Sequence, residues 1–141
     1  MTYATQQDMV NRFGDREVIA LTDRANVGVI NAAVLAQGLT AADDEINAYV
    51  AARYSLPFAT VPLLVRDFAC DIARYRLCGG EVTETEEVRN RYKDAIDFLK
   101  RVASNQVTLG LNAASAEVTP SAAVKVSSNN RVFSRNLLAD Y

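Results

Sequence analysis

Apolar side chains recur at intervals of three and four in three stretches of the chain, each bounded by proline, glycine or a capping residue. Leu35, Leu39, Ala42, Ile46 and Tyr49, with Arg53 closing the stripe, predict a helix from Asn31 to about Arg53. Gly38-Leu39-Thr40 is its weak point, since Thr40 followed by Asp43 makes a capping-box variant that would divide it in two. Leu64, Phe68, Ile72 and Tyr75 predict a second helix over 61–78, with Pro62 in its first turn and Gly79-Gly80 at its end. Val88, Tyr92, Ala95 or Ile96, Leu99 and Val102 predict a third over 84–104, capped by Thr83 or Thr85. Its glutamates (Glu84, Glu86, Glu87) lie at the start and Lys100 and Arg101 at the end, as the helix dipole favours. Leu64, Phe68, Ile72, Ile96 and Leu99 are the expected core. Upstream, Thr5 with Asp8 predicts a short helix over Gln6–Phe13. Gly14 suits a left-handed residue, Asp15 a cap for a further turn over Arg16–Leu21, and 22–28 a loop.

The pattern changes after Ser104. Residues 105–141 are rich in Asn, Ser, Ala, Thr and Val, with short β-like runs at Val107–Leu111 and Ala123–Val126 and a break at Pro120. The chain closes on RVFSRNLLADY, too apolar for a plain linker and too short to fold alone. Its expected role is contact with other chains: Phe133, Leu137, Leu138 and Tyr141 as apolar anchors, Arg131 and Arg135 as partners for acidic groups. The expected architecture is therefore mainly α: a helical domain of four to five helices over residues 1–104, and an extended, partly β-like C-terminal tail over 105–141.

Composition narrows the function classes. The 141 residues fit one domain, and 50% hydrophobic content supports a core built from Ala, Val, Leu and Ile, since tryptophan is absent. A net charge of -2 and a pI of about 5.1 argue against wrapping nucleic acid by neutralising phosphates. The polar start MTYATQQDMVNRF carries no signal-peptide pattern, and no apolar run approaches a spanning helix, so a soluble protein is expected. Cys70 and Cys78, eight residues apart on one predicted helix, would stand ~12 Å apart, too far for a disulfide.

No constellation points to catalysis. The chain has no histidine to activate a serine or cysteine. Asp43-Asp44-Glu45 resembles an acidic metal triad, but successive helix residues point ~100° apart, so a solvated first turn is expected. Asp67 and Asp71 share a helix face among Arg66, Arg74 and Arg76, which favours an ion-pair network, within or between subunits, over an acid–base pair. Arg74-Tyr75-Arg76 and Arg89-Asn90-Arg91 are flanked by acids and read as solvated or intersubunit faces. Most aromatic residues sit at helical spacing and read as core or interface. The exception is the RYSLPF loop, expected to be exposed, where Arg53, Tyr54, Leu56 and Phe58 are candidate contacts for a neighbour and prolines limit the entropy lost on binding.

The order and spacing of YATQQDMVNRFGDREVIALTD, DDEINAYVAARYSLPF, VPLLVRDFACDIARYRL and EEVRNRYKDAIDFLKRVA resemble the head-to-tail connector (adaptor) proteins of Mu-like bacteriophages and prophages. The closing RVFSRNLLADY resembles that family's C-terminal signature, with Asn136 and Tyr141 where Asp and Phe are more usual. The resemblance implies a structural virion protein of the phage neck, made in the host bacterial cytoplasm. It implies a homo-oligomeric ring, commonly twelvefold, beneath the portal protein, extending the channel for double-stranded DNA and docking the next neck (stopper) protein. It implies no enzyme activity, no cofactor, no metal, no membrane and no specific DNA binding. A stopper or tail-completion protein, or a stand-alone helical regulatory binding module, is the alternative.

Overall fold

The computed structural model describes residues 2–79 and 84–111. Five helices follow in order: α1 Gln6–Phe13, α2 Asp15–Thr22, α3 Ala32–Val50, α4 Leu63–Leu77 and α5 Glu86–Ala103. The mainly helical expectation holds, and no strand occurs among the described residues. The run Val107–Leu111, expected to be β-like, is irregular, and Ala123–Val126 lies outside the described residues.

Local chemistry sets the boundaries. Thr5 caps α1 in a reciprocal capping box: its hydroxyl accepts from the Asp8 amide while the Asp8 carboxylate accepts from the Thr5 amide at 2.8 Å. Gly14 at φ +85° separates α1 from α2. Asp15 lies inside the first turn of α2, not at its cap, because the cap position falls to Gly14. Asn31 caps α3 by accepting from the Ala33 and Val34 amides. Pro62 caps α4, and Thr85 rather than Thr83 caps α5, accepting from Val88.

The helix directions follow from four contacts. Tyr92 of α5 stacks on Tyr75 of α4 at 4.1 Å, and Phe98 meets Phe68 at 5.2 Å, so α4 and α5 run antiparallel. The Tyr92 hydroxyl donates to Glu45 of α3, and Arg53, just past α3, reaches the Val102 carbonyl near the end of α5. Thus α3 runs parallel to α5 and antiparallel to α4. The three pack against one another as a bundle, with α1 and α2 set against both α3 and α4.

α3 is one continuous helix, so Gly38 does not divide it. A Cβ on Gly38 would lie 2.7 Å from Leu77 Cγ, so glycine permits the close approach of α3 to α4. Ala42 on α3 and Ala69 and Ala73 on α4 are fully buried small residues that suit the same approach. This corrects the expected core face of α4. Val65, Ala69, Ile72, Ala73 and Leu77 are buried, whereas Leu64 is 41% exposed and Phe68 only half-buried. α4 carries two apolar stripes: the small one faces α3, and the aromatic one, Phe68 and Tyr75, meets α5. On α5 the expected face is observed, with Val88, Ala95, Ile96, Leu99 and Val102 buried and Tyr92 half-buried.

Candidate functional site

The expectation that the RYSLPF loop is exposed is corrected. Tyr54 and Phe58 are 3% and 1% exposed, Arg53 is 9% exposed, and Leu56 is half-buried. The Phe58 ring lies 5.6 Å from Tyr3 and 6.2 Å from Tyr54, so the N-terminal segment closes over the loop. Tyr3 is held in turn by α3: its amide donates to Asp43 at 3.0 Å and its hydroxyl to Asn47. The polar ends of Arg53 and Tyr54 turn to the other side. Arg53 donates to the carbonyls of Val102 at 2.9 Å and Val107 at 2.7 Å, and the Tyr54 hydroxyl accepts from the Leu109 amide at 3.1 Å. The loop is therefore an internal junction of the N-terminal segment, the end of α3 and the exit from α5.

That exit is itself ordered. Asn105 takes φ +63°, its amide donates to Val102, and the Gln106 amide donates back to Arg101 at 2.9 Å, the Schellman pattern of a helix end. Val107, Leu109 and Leu111 then pack partly buried against the core. For residues 105–111 this corrects the expectation of contact mainly with other chains. Arg131, Phe133, Arg135, Leu137, Leu138 and Tyr141 lie outside the described residues.

A second cluster joins α1 to α4. Arg12 donates to Asp71 at 2.7 and 3.2 Å and pairs with Asp67 at 3.3 Å. Burial works against the Arg12 charge, but the hydrogen bonds and charge of Asp71, with Asp67, outweigh it and raise its pKa. Asp71 is 5% exposed, so this pair is the internal tie between the two helices. Arg12, remote in sequence, meets Asp71 where an arginine of the same helix, Arg66, Arg74 or Arg76, was expected. Arg66 faces Asp8, and Arg74 pairs with Glu17 while lying 4.6 Å above the Phe13 ring. An open polar groove lined by Asp8, Asn11, Arg12, Arg66 and Asp67 runs beside the cluster, with Leu63 at its edge.

The acidic run on α3 is not a solvated first turn. It lies mid-helix, with Asp43 buried under Tyr3, Glu45 gripped by Arg76 at 2.8 Å and by Tyr92, and Asp44 exposed. Burial raises the Asp43 pKa, against the pull of the Tyr3 amide, and burial with Glu45 pushes Tyr92 up to about 12. Cys70 is buried and pushed up to about 12 by desolvation, so its thiol stays protonated. Cys70 and Cys78 are both unpaired. Among the described residues no three His, Cys, Asp or Glu side chains converge to hold a metal ion, and no helix is long and apolar enough to cross a membrane.

Exposed large apolar side chains sit beside the starts of two helices. Val27 and Val29 (69% and 60% exposed) precede α3, and Leu63 and Leu64 (62% and 41%) open α4. Because α3 and α4 are antiparallel, with Gly38 against Leu77, the starts of these two helices lie at opposite ends of the bundle.

Two relatives cover almost the whole chain. The Mu-like prophage FluMu protein gp36 of Haemophilus influenzae is 29% identical over 134 residues, 95% of this chain and 94% of its own. Gene product J of Escherichia phage Mu is 32% identical over 138 residues, 96% of each. The family model for Bacteriophage Mu Gp36 matches residues 3–128, from the Tyr3 that closes over Phe58, through all five helices and past the junction at Leu109. The chain therefore belongs to the Bacteriophage Mu Gp36 family of phage proteins.

Proposed function

We propose that this protein is a structural, non-catalytic component of a tailed-phage particle, the head-to-tail adaptor. In this role, copies form a ring below the portal, continue the DNA channel and receive the next neck protein. One observation carries the proposal: among the described residues, three carboxylates that face arginines across helix contacts are committed to tying helices together. Asp71 is held by Arg12, Glu45 by Arg76 and Tyr92, and Glu17 by Arg74. What the domain offers outward is shape and apolar side chains at its two ends, which suits a head-to-tail ring needing two different surfaces per subunit. The acidic balance of the chain suits a wall past which DNA slides without being gripped.

The C-terminal residues Arg131, Phe133, Arg135, Leu137, Leu138 and Tyr141 are proposed to anchor the subunit to the portal or to a neighbouring copy. The test mixes purified full-length chain, or chain lacking residues 131–141, with the portal of the same phage. Full-length protein should co-sediment as a ring, with a mass near twelve chains. The truncated protein should lose that binding while its helical domain melts as before. A full-length chain that stays monomeric and ignores the portal would refute the adaptor role, leaving the stopper, tail-completion and regulatory alternatives.

A further inference from the structure

We infer that Arg53 and Tyr54 act as a launching clamp, fixing where and in which direction the chain leaves the helical domain after α5. The two adjacent residues hold the exit from α5 at three backbone points spread over eight residues: the carbonyls of Val102 and Val107 and the amide of Leu109. The first point lies in α5 and the other two lie beyond it, so the clamp ties the exit segment to the helix it has just left. Its own footing is rigid. Tyr54 is stacked edge-on against Phe58, which Tyr3 covers, and the Arg53 guanidinium lies 5.5 Å from the Tyr54 ring.

The chemistry of the clamp is specific. The cationic guanidinium answers the Val102 carbonyl at the negative end of α5 and the Val107 carbonyl just beyond the helix. The phenol beside it can accept, and so takes the Leu109 amide. Val107, Leu109 and Leu111 fill the gaps around these polar contacts with apolar packing, but apolar contact alone is non-directional. Direction comes from the three hydrogen bonds. The segment up to Leu111 is therefore held at the end of the bundle where α3 and α5 finish. Leu63 and Leu64, at the start of the antiparallel α4, lie at that same end. The clamp is independent of the adaptor role and can be read in the isolated full-length protein.

Tyr54→Phe is the deciding variant, because it removes only the hydroxyl and keeps the ring between Phe58 and Arg53. Arg53→Met tests the other half of the clamp. Hydrogen exchange measured residue by residue should show the Leu109 amide exchanging about tenfold faster in Tyr54→Phe, with the amides of α3, α4 and the middle of α5 unchanged. Spin labels on the exposed positions Asn90→Cys and Thr108→Cys, in a Cys78→Ser background, report direction. Their distance distribution should be narrow in the parent and broad in Arg53→Met and in the Arg53→Met/Tyr54→Phe pair. A Leu109 amide as protected in Tyr54→Phe as in the parent would overturn the proposal. So would a label distribution as narrow in the pair as in the parent, since apolar packing alone would then hold the exit.

Discussion

Gly38→Ala sets two effects of opposite sign against each other. In an exposed helix interior the change should stabilise by about 1 kcal/mol, because alanine gives up less backbone freedom. Here the new methyl would lie 2.7 Å from Cγ, 2.9 Å from Cδ2 and 3.1 Å from Cδ1 of Leu77. The first of these atoms is the branch point of the side chain, so rotating a terminal methyl does not relieve the contact. Leu77 must swing outward from a site where it is 6% exposed, or α3 and α4 must part; either costs about 1–3 kcal/mol. The net effect expected is a loss of about 1 kcal/mol. Leu77→Ala alone should cost about 2–3 kcal/mol for the buried leucine. In the double variant the methyl introduced on α3 enters the space that Leu77 leaves, so the pair should cost less than the sum by about 1 kcal/mol or more, a coupling of the kind contacting residues show. Urea unfolding followed by circular dichroism, with m-values compared to confirm two-state behaviour, reads all four proteins of the cycle. A Gly38→Ala variant more stable than the parent by the full helix gain, or an additive double variant, would refute the close approach of the two helices.

Other consequences follow from the packing and the charges. Leu64→Ala should change stability by less than about 0.5 kcal/mol and Ile72→Ala should cost about 3 kcal/mol, with Phe68→Ala between them because its ring is only half-buried; chemical denaturation that ranks Leu64 with Ile72 would return the core to the other stripe. Arg12→Met should cost about 2–3 kcal/mol at neutral pH by leaving Asp71 buried without its partner, and Asp71→Asn in that background should recover part of the loss; equal stability of parent and Arg12→Met would show the pair to be ornamental. Asp43 has a raised folded-state pKa, so the folded form binds the extra proton and stability contributed by this group falls as pH rises from its unfolded value through the folded one. Asp43→Asn keeps an acceptor for the Tyr3 amide, so at neutral pH it should be as stable as the parent to within about 0.5 kcal/mol while flattening the fall in stability as pH rises above the ordinary carboxylate range; an unchanged profile would mean that Asp43 is not the group responsible.

What the sequence disclosed was decided locally, and what it hid was decided across the chain. The α1 cap was legible because Thr5 and Asp8 are three residues apart, and the face of α5 because its apolar stripe stands alone among charged positions. The phase of α4 was not, because two stripes one residue apart compete and the choice between them rests on Gly38, far away on α3. The loop at 53–58 looked exposed for the same reason. Its burial depends on Tyr3, Val102, Val107 and Leu109, none of them near in sequence, and an arginine and a tyrosine followed by Pro57 carry no local sign of such partners. Asp43 looked solvated because nothing nearby in sequence announces the Tyr3 amide that covers it. Arg12 was overlooked as the partner of Asp71 because the pair is 59 residues apart. The one signal that could have pointed to the junction is Arg53 itself, a charged residue falling on the apolar stripe of its helix. A stripe position occupied by arginine asks for buried acceptors, and helix ends supply carbonyls of that kind.

The most direct measurement of the proposed role is a reconstruction by electron cryomicroscopy of the infectious particle that carries this chain. The five-helix domain should fit density repeated around the channel between the portal and the next neck protein, with residues beyond Leu111 leaving each subunit from the end where α3 and α5 finish. Particles in which that density is filled by another protein, or from which this chain is missing, would contradict the role.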